Sequence, residues 1–215
     1  MKTLDLKKQY KHLYAPSGKA IQVVDVPRLQ FLTIDGAIEK GMEPGTSPGF
    51  QASSEALYGA AYTIKFMLKK RAAGAVDYPV MPLEGLWWVE GGHFDLNVKD
   101  NWLYKLMILQ PEDVTEAELD EGLTEVRRKR GDSRALGELR LEWIEEGQCM
   151  QAMHIGPYAT EPATIEKMHL RGVELGYLDL VGLGAKHHEI YLGDPRKAAP
   201  EKLKTILRHP VQKIA

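Results

Sequence analysis

One order of elements occurs twice along the chain, and it narrows the possible folds more than any single motif. Two extended runs (residues 21–26 and 29–36) are joined at Pro27-Arg28 and lead through a Gly- and Pro-rich loop into a helical pattern. Ser47 can cap that helix, and Pro48 takes a first-turn position where its missing N–H costs nothing. Leu57, Ala61, Ile64 and Leu68 form its apolar stripe, and Lys69-Lys70-Arg71 with Gly74 close it. Extended runs over 83–89 and 102–109 follow. The order then returns. Residues 139–143 alternate as a strand, Glu145-Glu146-Gly147 turns the chain, and 148–155 come back as a second strand. A helix opening at Thr160-Glu161-Pro162 carries Ile165, Met168, Gly172 and Leu175 on one face. Residues 188–192 and a last edge strand, 205–208, complete the set.

Each half thus reads strand–strand–helix–strand–strand. The halves, about 20–110 and 138–210, are joined by a helix at about 115–130 that starts with the capping box Thr115-x-x-Glu118. The expectation is one α+β domain over 1–215. Two pseudo-twofold-related units form an antiparallel sheet with helices on one face and a ligand cleft on the other.

Composition removes several classes. With 28 Lys plus Arg against 30 Asp plus Glu, the net charge is −2, which argues against a nucleic-acid partner. The basic clusters 69–71 and 127–130 end helical patterns, where cations offset the helix dipole. No apolar run approaches the roughly 20 residues of a membrane helix, so no membrane partner is expected. A lone cysteine, Cys149, rules out an internal disulfide. The first residues lack the apolar core of a signal peptide, and a cytoplasmic location is expected. Oligomeric state is not readable.

Alternation assigns the candidate chemistry. On the strand over 188–192, His188, Ile190 and Leu192 point one way, while Glu189 and Tyr191 point the other. If the apolar pair packs under the helix, Glu189 faces the open side. A mid-strand carboxylate beside a ring is costly to bury unless it holds a cation, accepts a hydrogen bond or acts as a base. It could equally be solvated, or pair with Arg196 or Arg208. Trp87 and Trp88 point to opposite faces, so one can line the cleft. Tyr58 and Tyr62 flank the first helix's stripe and have packing as their plainer role. Glu161 suits a helix start, and the run from His154 to Tyr158 leads directly into it, so a phenol and a carboxylate converge at one cleft edge. A carboxylate pair can divide acid and base work. His154, His169 and His209 have no metal-ligand spacing, and nucleotide-binding loops are missing, so neither metal nor cofactor is expected.

The segments 82–88 (PLEGLWW), 154–158 (HIGPY), 161–168 (EPATIEKM) and 188–196 (HEIYLGDPR), with 201–208 trailing, resemble those of stand-alone GyrI-like proteins. That resemblance implies paired SHS2-type units around a cleft for drug-like aromatic ligands, with Glu189 at the position of a buried, ligand-facing glutamate. The stand-alone branch also resembles cyclopropanoid cyclopropyl hydrolases, which open DNA-alkylating antibiotics of the yatakemycin and CC-1065 type. On that reading Glu189, Glu161 and Tyr158 are catalytic, and Trp87, Trp88, Tyr191, Tyr58 and Tyr62 bind ligand. The alternative is a non-catalytic sequestering protein or a gyrase-inhibitor-like modulator.

Overall fold

The computed structural model describes residues 1–91, 94–96, 98–99 and 101–214. In chain order its elements are β1 (Lys2–Thr3), the single turns α1 (Leu6–Gln9) and α2 (Lys11–Tyr14), β2 (Gln22–Val26), β3 (Leu29–Ala37) and α3 (Pro48–Lys70). Next come β4 (Val76–Asp77), β5 (Leu83–Trp88), β6 (Leu103–Leu109), α4 (Glu116–Arg130) and α5 (Arg134–Gly137). The second half supplies β7 (Arg140–Ile144), β8 (Gly147–Ile155), α6 (Glu161–Glu174), β9 (Tyr177–Asp179), β10 (His187–Tyr191) and β11 (Lys204–Lys213).

The main sheet runs β2-β8-β11-β10-β5-β6-β3-β7, with β9 also paired to β11. Reversing this order exchanges the halves strand for strand, which places a pseudo-twofold axis between β5 and β10. The duplicated α+β architecture is therefore as expected. Two details differ. The runs joined at Pro27-Arg28, and those joined at Glu145-Glu146, do not pair with each other. Instead β2 pairs with β8 and β3 with β7, in one unbroken register: Gln22 lies opposite Gln151, Val26 opposite Gly147, Leu29 opposite Ile144 and Thr33 opposite Arg140. Two long bent strands, one from each half, clasp one another. A two-residue hairpin needs positive φ at its central positions, and Pro27, Arg28, Glu145 and Glu146 do not supply it; Gly147, at φ 65°, takes the bend. The second difference is the last strand. It lies between β10 and β8 with its backbone paired on both sides, and Ile206, Leu207 and Arg208 are buried.

Helix α3 forms where the sequence places it. Ser47 Oγ accepts the Phe50 N–H at 3.0 Å, and Leu57, Ala61, Ile64 and Leu68 are buried against the sheet. Helix α4 starts at the Thr115/Glu118 box and crosses α3 so closely that a Cβ on Gly122 would stand 2.5 Å from Ile64 Cγ1. The basic ends of both helices meet acids: Lys69 pairs with Asp77, Arg71 with Glu118, and Arg128 and Lys129 with Glu125.

Register identifies the faces. His187, Glu189 and Tyr191 share a face with Trp87 and Tyr104 in one direction and with Thr205 and His154 in the other. Both main helices cover this face. Phe50 and Ser53 of α3 meet Trp87 and Tyr104, while Thr164 of α6 bonds His154 Nδ1 at 2.8 Å. Glu189 thus faces the helices, at the seam between α3 and α6, and not a helix-free side. The inversion follows from the opposite face, where the N-terminal segment covers a buried polar cluster: Tyr14 donates to Glu84 at 2.7 Å, and Arg208 donates to the Leu13 carbonyl at 3.0 Å and to Glu146 at 3.2 Å. His188 bridges Glu84 and Glu146 there, and Ile190 packs beside it. Arg208 is accordingly spent on Glu146, which it and His188 hold down at about 2 despite burial.

Candidate functional site

The site grows from the two central strands. Gly85 stands opposite Glu189, and the Trp87 indole folds back over it; a Cβ at Gly85 would lie 2.8 Å from Trp87 Nε1. From there Nε1 donates to the Tyr191 hydroxyl at 3.1 Å. Phe50, Trp102 and Tyr104 pack around the indole, leaving it 1% exposed. Phe94 lies over Trp102 and stacks on His187 at 5.5 Å. Tyr158, in the turn that leads into α6, meets Tyr191 edge to face at 6.0 Å.

Two carboxylates stand inside this aromatic enclosure. Glu189 is 5% exposed, and its Oε1 meets His187 Nε2 at 3.0 Å. Glu161, in the first turn of α6, is 3% exposed, and its Oε1 has no hydrogen-bond partner among the described residues. The Thr205 hydroxyl lies beside it and favours its ionised form, though too weakly to offset burial. Burial first, and the Glu189 carboxylate second, push Glu161 up to about 9. At neutral pH Glu161 is therefore a neutral acid that can donate. The phenols respond in the same sense. Burial and the two carboxylates raise Tyr158 to about 12; burial, Glu189 and a hydrogen bond to it hold Tyr191 well above the ordinary phenol value. Both keep their protons. The arrangement offers an acceptor, a neutral acid and two phenol donors in a place with little water, a division of roles suited to acid–base chemistry.

Of the residues singled out from sequence, Glu189, Glu161, Tyr158, Tyr191 and Trp87 come together. Trp88 does not: strand alternation sends it to the other face, under Lys186 Nζ at 3.6 Å from its ring. Tyr58 is half-buried at the Leu83 end of β5, at the margin of the cluster. Tyr62 is 49% exposed and stacks with Tyr58 and Phe66 along the outside of α3, because one helical turn carries it past the buried stripe. Two surface grooves lie elsewhere. One of about 640 Å³ runs between α3 and α4, past Tyr62, Phe66 and Met67, and another of about 250 Å³ lies beside Tyr10 and Trp143. Acids in the first, Glu121 and Glu125, are paired to Arg71, Arg128 and Lys129. Convergent buried acids and donors make the Glu189 cluster the candidate site.

Sequence reading missed Gly85 and His187. A glycine in mid-strand was the available signal for the first. His187 carried none, since its value comes from the residues it joins. Its Nδ1 meets His209 Nε2 at 2.7 Å, and beyond that lie Asp179 and His169. Among the described residues His169, Asp179 and His209, 10 to 40 residues apart in sequence, present one ligand atom each within 4.8 Å of one another and form a group that could hold a metal ion.

Comparison with known proteins agrees with this fold. Three crystal structures from Listeria innocua superpose over nearly the whole chain. An uncharacterized conserved protein is 41% identical, covers 97% of this chain and 100% of its own, and has a TM-score of 0.86. A hydrolase is 40% identical over 98% of this chain and 100% of its own, with a TM-score of 0.86, and another hydrolase is 38% identical over 97% and 100%, at 0.83. The C-terminal domain of EcmrR, 11% identical at a TM-score of 0.53, shares the fold alone. No curated protein matches the chain. Among the described residues no helix is long and apolar enough to cross a membrane. The model of the GyrI-like small molecule binding domain matches residues 46–212, most of the chain, and the protein belongs to that family.

Proposed function

We propose that the chain binds flat aromatic, drug-like molecules at the seam between α3 and α6 and hydrolyses cyclopropanoid DNA-alkylating antibiotics there. The observation that carries this reading is the pair of buried carboxylates, Glu161 raised to about 9 and Glu189 against His187, within an enclosure of Trp87, Tyr158 and Tyr191. The hydrolases from Listeria innocua at 38–40% identity support a hydrolytic reading.

The reaction is an addition of water. Glu189, oriented by His187, takes a proton from water as its oxygen attacks one cyclopropane carbon. The strained C–C bond breaks, and its electron pair moves through the conjugated dienone to the carbonyl oxygen, making the ring aromatic. The growing negative charge is met by Tyr158 donating a hydrogen bond, or by Tyr191 once its hydroxyl turns from Glu189, and Glu161 supplies a proton to the phenolate. The product is the substrate plus one water, no longer able to alkylate DNA. Donors that stay protonated at neutral pH suit this task, since an ionised phenol would repel the developing oxyanion.

The test is incubation of substoichiometric protein with a cyclopropanoid drug and analysis by mass spectrometry. Many equivalents of the hydrated product are expected. A general base contributes about 10² to 10⁴ in rate, so Glu189→Gln should slow turnover at least tenfold while the variant still binds drug. Tight binding with the drug intact would instead support a sequestering protein, in which the acids serve as counter-charge. Turnover unchanged in Glu189→Gln would remove that residue from the mechanism.

A further inference from the structure

Behind the cluster a buried chain of contacts poses a problem of hydrogen count. Glu189 Oε1 meets His187 Nε2 at 3.0 Å, His187 Nδ1 meets His209 Nε2 at 2.7 Å, and His209 Nδ1 meets Asp179 Oδ2 at 2.5 Å. A carboxylate closes each end and can only accept. Each outer nitrogen must then carry a hydrogen, and the contact between the rings needs another. Two neutral imidazoles provide one hydrogen each, so the chain is one short. His187 and His209 are 0% and 2% exposed, so water cannot cover the shortfall cheaply.

We propose that a divalent cation of the zinc class, bound by His209 Nδ1, Asp179 Oδ2 and His169 Nε2, stands in place of the missing hydrogen. With the metal on Nδ1, His209 is fixed as the Nε2–H form and donates to His187 Nδ1. His187 then carries its hydrogen on Nε2 and donates to Glu189. The contacts His209–His187 and His187–Glu189 each acquire one donor and one acceptor, and His209 Nδ1 and Asp179 Oδ2 become neighbouring ligands of the ion. The ligand atoms already converge, and binding would spread the 2.5 Å and 2.7 Å contacts at Asp179 Oδ2 to the roughly 3.3 Å that separates ligands of a tetrahedral ion. His169 Nε2 lies 2.7 Å from Asp179 Oδ2, and the three atoms fall within 4.8 Å of one another. Two imidazole nitrogens and one carboxylate oxygen are a common zinc set, with a fourth position left for water. The set comes from α6, β9 and β11, so binding ties the C-terminal helix to the sheet. His169 has a side chain 51% exposed, and Asp179 20%, which gives an ion a route in, while His209 at 3% forms the floor. Asp179 Oδ1 accepts the Val181 N–H at 2.8 Å and holds the carboxylate in place. A ligating histidine whose other nitrogen is held by a hydrogen-bonding partner is the usual outer-shell arrangement. The site is separate from the proposed ligand cleft, although the chain through His187 joins them.

The test uses the full-length, untagged chain, stripped with a chelator and titrated with zinc chloride by calorimetry. One zinc per chain is expected. His169→Ala, an exposed change that spares the core, should weaken binding at least tenfold, and Asp179→Asn should do the same. His12→Ala, an exposed histidine on α2, should leave it unchanged. Cobalt(II) in place of zinc should give the visible absorption of a low-coordinate nitrogen and oxygen site, lost in His169→Ala. No stoichiometric uptake would overturn the proposal and assign the chain an extra proton in place of the metal. Equal affinity in His169→Ala would overturn it as well.

Discussion

At the scale of single residues, the two acids differ because their surroundings differ. Glu189 has His187 against it, whereas Glu161 has an oxygen with no partner and a carboxylate for a neighbour. The consequence for stability has a definite sign. Glu161 is raised from an ordinary 4.5 to about 9 in the folded chain. Its contribution is fully present below about 4.5 and is lost as pH rises through about 9. Glu161→Gln cannot ionise, so the variant should have a higher Tm than the wild type at pH 9, and the difference should vanish near pH 5. Parallel Tm curves across that range would mean that Glu161 is not held neutral. Turnover should share this alkaline limb if Glu161 is the acid.

At the scale of elements, the close crossing of α3 and α4 depends on a missing side chain. A Cβ at Gly122 would meet Ile64 within 2.5 Å, so Gly122→Ala should cost about 1–3 kcal/mol in chemical denaturation, as overpacking does. A cost near zero would show that the helices can part without penalty. This scale also shows why some of the fold was legible and some was not. Ser47 before Pro48, and Thr115 three residues before Glu118, are local signals, and both helices start at them. Strand partners are long-range facts. Nothing near Pro27 tells β2 to pair with β8, and the burial of β11 on both sides depends on a strand 50 residues earlier. The alternation that separated Trp87 from Trp88 was readable, but which of them meets Glu189 required the register to β10. The face covered by helices was misjudged for a related reason. Ile190 is apolar and buried, yet what buries it is the N-terminal segment around Tyr14, a roof outside the repeat. The histidine chain was invisible, since His169, Asp179, His187 and His209 share no spacing.

At the scale of the whole molecule, duplication explains where a reactive site can lie. The pseudo-twofold axis passes between β5 and β10, and each half brings one long helix to the same sheet face. The two helices lean on their own halves, which leaves a seam at the axis lined by strands from both. Symmetry of backbone does not extend to side chains there. The first half contributes Trp87 over Gly85, and the second contributes Glu189, Tyr191 and Glu161. One half thus supplies a buried aromatic wall and the other the two carboxylates. The most direct measurement is a crystal structure of Glu189→Gln soaked with a cyclopropanoid drug. The ligand is expected at the seam between α3 and α6, its rings against Trp87 or Tyr191 and its dienone oxygen within hydrogen-bond reach of Tyr158, Tyr191 or Glu161. A ligand lying instead in the groove beside Tyr62 and Phe66, with the carboxylate cluster undisturbed, would contradict that placement.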